Sequence, residues 1–250
     1  MVVALPFDTD GGFGTRARIG LIVLETDQTI EAEARRLRLE GVDWYHARIA
    51  NDAEVTADTL TSMEQRLPQT AALLPTAFEF DAIGYACTSA ATLIGEARVT
   101  NAIQTAHPGV PCTTPITAAV DAFRALDVGR LAVVTPYSAM VTAPIVDHFE
   151  SAGLSVAAVG SFLESNDLVV ARITEESIAE AVRQIAADGA CDAVFVSCTS
   201  LRTFGVIELL EAELDLPVVS SNLALLWRLL RLSGVDDEVT GLGSLFRLQV

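Results

Sequence analysis

Asp81-Ala82-Ile83-Gly84-Tyr85-Ala86-Cys87-Thr88-Ser89 is a short apolar run ending on a cysteine and two hydroxyl residues, and the chain repeats it as Asp192-Ala193-Val194-Phe195-Val196-Ser197-Cys198-Thr199-Ser200. The copies share Asp-Ala, Cys-Thr-Ser and a threonine three residues past the serine (Thr92, Thr203), all at a constant offset of 111 residues. Such a run, closed by a polar turn, reads as a buried strand that delivers the cysteine at its carboxyl end. Two copies imply two similar halves, each presenting one cysteine.

The flanks support the duplication. Before and after the first copy the pattern predicts strands at 18–24, 43–49 and 110–114, with helices at 28–40, 56–75, 90–105 and 115–126. Around the second it predicts strands at 130–135, 154–159 and 216–220 and helices at 138–151, 174–188, 201–213 and 222–233. Alternating strands and helices, with strands apolar throughout, specify an α/β fold: two doubly wound halves, each a four-stranded parallel sheet flanked by helices. We divide the chain into residues 17–115, with a C-terminal return of 234–250, and residues 116–233. Residues 240–250 are expected to be a strand or extended tail returning to the first half. Residues 1–16, with Gly11-Gly12-Phe13-Gly14 but no preceding strand, read as an arm rather than a phosphate loop. In doubly wound sheets ligands bind beyond the carboxyl ends of the strands. Cys87, Cys198, Asp27, Tyr137 and the 220–222 turn all fall there, which places the site between the halves.

Composition removes several classes of function. The 250 residues are 51% hydrophobic, enough for a full core, and carry a formal net charge of −17. That charge repels nucleic acid and anionic membrane surfaces. All sixteen basic residues are arginine, so lysine Schiff-base chemistry and the P-loop are excluded. No signal-peptide pattern and no run of about 18 apolar residues occurs, so a cytoplasmic location is expected. Four cysteines without a CxxC or a His/Cys cluster suggest neither a disulfide framework nor a metal site, and no cofactor is called for.

A cysteine between a strand and a helix meets free N–H groups and the helix dipole, so its pKa is expected to fall. Thr88-Ser89 and Thr199-Ser200 would add donors for a carboxylate or an enolate oxygen. Cys112 and Cys191 lack these flanks and read as core. His46, His107 and His148 share no segment with a cysteine and read as surface or packing residues. Arg202 can face the site or the solvent.

Several segments resemble the aspartate/glutamate racemase superfamily, in its branch of maleate cis-trans isomerase and arylmalonate decarboxylase: the paired Cys-Thr-Ser turns, Val134-Thr135-Pro136-Tyr137, Ser165-Asn166, the run Ser197 to Thr203, and Pro217-Val218-Val219-Ser220-Ser221-Asn222. The likeness covers about residues 17–235 and is nearest to the isomerase-like proteins associated with ectoine utilisation. It implies a cofactor-independent isomerase or racemase of a small carboxylate, with Cys87 and Cys198 catalytic and Asp27, Thr88, Ser89, Tyr137, Asn166, Thr199 and Ser200 binding substrate. A homodimer or homotetramer is expected. The presence of Cys87, where the decarboxylases have glycine, argues against simple decarboxylation.

Two positions depart from the family pattern. Ala90-Ala91 stand where a glycine is expected. Asp27 stands where the family holds a substrate carboxylate with asparagine, and an ionised aspartate there would repel a carboxylate by about 1 to 3 kcal/mol. A substrate with an amino or amidinium group suits Asp27 better than maleate, unless Asp27 only caps the first helix. An aspartate/glutamate-type racemase is the alternative activity, and a carboxylate-binding protein without catalysis is the alternative of another class.

Overall fold

The computed structural model describes residues 2–248. The first half runs β1 (Ala17–Leu24), α1 (Ile30–Ala34), β2 (Val42–Ile49), α2 (Ala57–Ser62), α3 (Leu67–Ala71), β3 (Ala82–Ala86), α4 (Thr88–Ile94), α5 (Glu96–Gln104), β4 (Cys112–Thr113) and α6 (Pro115–Ala125). The second runs β5 (Arg130–Thr135), α7 (Ala139–Ser151), β6 (Ser155–Ser161), α8 (Asp167–Val170), α9 (Glu175–Ala186), β7 (Ala193–Val196), α10 (Ile207–Leu214), β8 (Val218–Ser220) and α11 (Ser221–Leu232). The sheets are parallel and have matching orders, β2-β1-β3-β4 and β6-β5-β7-β8. The expected two-half α/β architecture is therefore the observed one.

Each part of the repeated stretch has a physical role. Asp81 accepts the Arg18 N–H at 2.8 Å and Asp192 the Gly129 N–H at 3.3 Å, so the aspartate that opens β3 or β7 clips the start of the neighbouring β1 or β5. The apolar residues that follow are fully buried. The last helix of each half then covers the other half's sheet. Phe123 of α6 meets Phe195 of β7 edge-on at 6.1 Å, while α11 runs along β3, its Leu225 and Leu229 against Gly84. One hydrophobic core thus spans both halves.

Several predicted helices are shorter or divided. The 90–105 helix breaks at Gly95, whose φ of +91° suits glycine, into α4 and α5. The 56–75 helix starts at the Thr56/Thr59 capping box but passes through a 3-10 turn at Met63–Arg66 before α3. The first helix stops at Ala34, and the chain then takes a positive φ at Arg38. The C-terminal segment is not a strand. It turns at Gly241 and Gly243, and Glu208 and Glu211 of α10 capture the N–H groups of Gly243 and Ser244 at 2.7 and 2.6 Å. A 3-10 turn at Leu245–Arg247 follows, and residues 249–250 lie outside the described residues.

Candidate active site

The two cysteine turns differ in backbone. Cys87 is the N-cap of α4, extended at φ −148° and ψ 111°, with its Sγ 3.8 Å from Ser89 Oγ. Cys198 has φ +115°, a region favoured by glycine, and strain of this kind costs on the order of 1 to 3 kcal/mol. Its N–H donates to Ser221 Oγ at 3.0 Å, and the same Oγ lies 2.7 Å from Thr88 Oγ1. Thr199 Oγ1 returns the link by donating to the Ala86 carbonyl at 3.2 Å. The hydroxyl residues of the repeat therefore stitch the two cysteine turns together.

No helix follows Cys198 directly; α10 begins only at Ile207. Glu33, buried on α1, explains the interruption. Its Oε1 accepts the Thr203 and Phe204 N–H groups at 2.7 and 2.9 Å, and its Oε2 accepts Asn222 Nδ2 at 2.7 Å. A buried carboxylate of the first half thus holds the loop after Cys198, together with Thr29, whose hydroxyl donates to the Ser200 carbonyl at 2.8 Å.

Cys87, Cys198 and Tyr137 line one cavity at the carboxyl ends of the strands, with Thr88, Ser89, Thr199 and Asp167. Residues between Asn51 and Met63 complete its wall. A short antiparallel bridge joins that segment to the second half: Val55 N–H donates to the Ser165 carbonyl at 2.9 Å and Asp167 N–H to the Ala53 carbonyl at 2.8 Å. The free space is about 20 Å³, room for about one water.

Burial governs the charge states. It pushes the Cys87 thiol up to about 12, against the smaller pull of the Ala90 N–H and the Ser89 hydroxyl. It pushes Cys198 higher still, with the Asp167 carboxylate adding to the effect and Tyr137 opposing it. The expected fall in pKa is therefore reversed. Cys87 is at a helix N-terminus, but α4 is short and the residue is buried; Cys198 has no helix behind it. Burial also raises the hydroxyls of Tyr85 and Tyr137 well above the ordinary range.

Comparison with known proteins agrees with this architecture. The arylmalonate decarboxylase family matches residues 19–246. The chain belongs to that family. Within the wider branch it is 26% identical over 242 residues to the maleate isomerase of Pseudomonas putida KT2440, covering 91% of this chain and 96% of that protein. It is 32% identical to the arylmalonate decarboxylase of Bordetella bronchiseptica over 140 residues, 55% of this chain and 58% of that protein. The crystal structure of the maleate isomerase Iso from Pseudomonas putida S16 superposes with a TM-score of 0.83 at 26% identity, over 92% of this chain and 98% of that one.

In this member of the arylmalonate decarboxylase family, the cavity gathers six of the nine residues expected at the site: Cys87, Cys198, Thr88, Ser89, Tyr137 and Thr199. Ser200 is buried outside the lining, its hydroxyl donating to Asp167 Oδ1 at 2.9 Å. Asn166 is exposed, and its side chain accepts the Leu168 N–H at 3.0 Å as the cap of α8. Asp27 is buried and does not line the cavity; its Oδ1 caps the Thr29 and Ile30 N–H groups at 2.8 and 2.9 Å. Its Oδ2 has no partner, and burial lifts its pKa to about 6. Cys112 and Cys191 lie elsewhere, and exposed Arg202 donates to the Ile173 carbonyl. His107 packs against Phe80 with its Nε2 3.0 Å from the Ala71 carbonyl.

The sequence reading missed Asp167 and Glu33 as parts of the site, and it included Ser221 only through the 220–222 turn, without a role. Asp167 stands one residue from the predicted Asn166. Glu33 was visible only as one of several charged residues in the predicted 28–40 helix, which gives no signal by itself.

Proposed function

We propose that this protein is a cofactor-independent isomerase or racemase of a small carboxylate, with Cys87 and Cys198 as its two reacting groups. One observation carries the reading: turns equivalent by internal duplication bring both thiols to a single cavity, with Tyr137 beside them. Two reaction paths fit. In one, a thiolate adds to an activated alkene, the former double bond rotates as a single bond, and elimination of the thiolate gives the other geometric isomer. In the other, one thiolate takes an α-proton and the opposite thiol returns one to the other face of the enolate. The maleate isomerase relatives favour the first path; a substrate with an α-hydrogen would follow the second.

The roles of Thr88, Ser89, Tyr137 and Thr199 as substrate contacts belong to the same proposal, supported by their place in the cavity wall. So does a cytoplasmic homodimer or homotetramer, supported by four free cysteines and by exposed apolar side chains at Met140, Val159 and Leu163. No helix among the described residues is long and apolar enough to cross a membrane.

Proton NMR in deuterated buffer, with maleate, amino acids and related acids as substrates, would detect isomerisation as a new alkene signal and racemisation as α-deuterium exchange. Cys87→Ala and Cys198→Ala should each abolish turnover with the fold retained. More than about a tenth of the wild-type rate in either variant, a difference of about 1.4 kcal/mol, would remove the two-thiol mechanism.

A further inference from the structure

Among the described residues, the thiol cavity has acids in its wall and no base. Asp167, Asp52 and Glu54 line it, the first buried and the other two exposed at its mouth. None of the sixteen arginines lines it. Arg48 donates to the carbonyls of Leu24, Glu25 and Asp27 and pairs with Glu31; Arg66 donates to the Ala50 carbonyl. Both are committed elsewhere.

Some of the hydroxyls nearby are occupied, leaving those of Ser89 and Tyr137 in the wall to meet a single carboxylate. Thr88 is bonded to Ser221, Thr199 to the Ala86 carbonyl and Ser200 to Asp167. Asp167 itself receives only two side-chain donors, the hydroxyls of Thr26 and Ser200, and a carboxylate with one donor on each oxygen keeps further lone pairs free. Asp27 adds a second buried carboxylate next to Thr199, with one oxygen unpartnered. A dianion entering this cavity would meet like charges on several sides. A full charge about 4 Å away in partly shielded surroundings changes affinity by more than tenfold.

We propose that Asp167, with Asp52 and Glu54 at the mouth, forms a subsite for a cationic nitrogen, so that the substrate is a carboxylic acid that also bears an ammonium or amidinium group. The inference rests on the carboxylate reading above and specifies it: one end of the substrate is the carboxylate that activates the reacting carbon, the other a cation held by Asp167. The specificity determinant is thus Asp167 in the cavity wall, whereas Asp27, outside the lining, tunes the field from behind.

Matched ligands test this by isothermal titration of the wild-type protein at pH 7: succinate against aspartate, and butyrate against 4-aminobutyrate, each pair differing by one ammonium group. Protection of Cys87 and Cys198 from alkylation, read by mass spectrometry, reports whether binding is at the thiols. The ammonium member of each pair should bind at least tenfold more tightly, and Asp167→Asn should reduce that preference to threefold or less. Because Asp167 also anchors Ser200 and Thr26, the exposed variants Asp52→Asn and Glu54→Gln carry the same test without risk to folding, each lowering the preference about two- to fivefold. Equal or tighter binding of succinate and butyrate at the thiols would overturn the inference and leave the two-thiol carboxylate reading intact. A cation preference that none of the three variants alters would overturn the assignment to these acids. Failure of all four ligands to bind or protect would remove the carboxylate reading, and the inference with it.

Discussion

Cys87 and Cys198 share their flanking residues but not their backbone: one is an extended N-cap, the other has a positive φ and an N–H held by Ser221. Duplication therefore supplies two thiols in unlike settings, which suits a reaction needing different proton states on its two sides. Both thiols are protonated at neutral pH, because burial outweighs the few donors that face the sulfurs. A thiolate therefore needs added donors or water at the sulfur to form in quantity at neutral pH. Alkylation by iodoacetamide should accordingly be slow at pH 7, and its rate should rise about tenfold per pH unit through pH 10, since the thiolate is the nucleophile. A plateau near pH 8 would show a stabilised thiolate in the resting site. At this scale the sequence was informative about the cysteines, whose repetition marks them. It was silent about Asp167 and Glu33, whose roles depend on a loop from the other half arriving beside them. Asp27 illustrates the limit: its capping bonds are local and legible, whereas its absence from the cavity wall is a matter of tertiary placement.

The elements themselves follow from local rules. The strands are apolar, and Thr56, Thr114, Thr174 and Ser220 each cap the helix they precede by accepting an N–H in its first turn. Close packing of α11 on β3 depends on Gly84. A Cβ there would lie 2.8 Å from Leu229 Cδ1 and 3.2 Å from Leu225 Cδ1. Gly84→Ala should therefore destabilise the protein by about 1 to 3 kcal/mol through overpacking, measured by denaturant unfolding, and the strain should reach Cys87 three residues on. An unchanged unfolding midpoint would mean that α11 shifts freely. Alternation of strand and helix made the sheets legible, because buried parallel strands need little context. The loop at 198–206 was less so: Leu201 to Phe204 have a helical pattern, yet Glu33 takes the N–H groups of Thr203 and Phe204 and Thr29 donates to the Ser200 carbonyl. A distant carboxylate overrides local propensity there.

Across the whole molecule, the exchange of α6 and α11 fuses the halves into one core, and buried Glu33 and Asp27 sit where the halves meet. No periodicity in the sequence reveals which sheet a helix covers. Both acids are raised by burial, Asp27 from 3.8 to about 6 and Glu33 from 4.5 to about 7. The folded state therefore holds protons that the unfolded chain releases. Their contribution to stability is complete below about pH 4 and is lost as pH rises through 6 and 7, so stability should fall between pH 5 and pH 8. Shifts of about two units correspond to at most 2 to 3 kcal/mol for each group, or several degrees in melting temperature together. The net charge of −17 acts in the same direction through self-repulsion, so the wild-type curve does not separate the two causes. The variant Asp27→Asn, Glu33→Gln does. Asparagine keeps the oxygen that caps Thr29 and Ile30. Glutamine keeps an acceptor for Thr203 and Phe204, and Asn222 Nδ2 keeps its bond to the Thr199 carbonyl. Thermal melts of the double variant should show most of the pH 5 to 8 slope removed, with stability at pH 8 equal to or above wild type. A slope unchanged from wild type would assign the effect to overall charge and show that both carboxylates ionise freely in the folded protein.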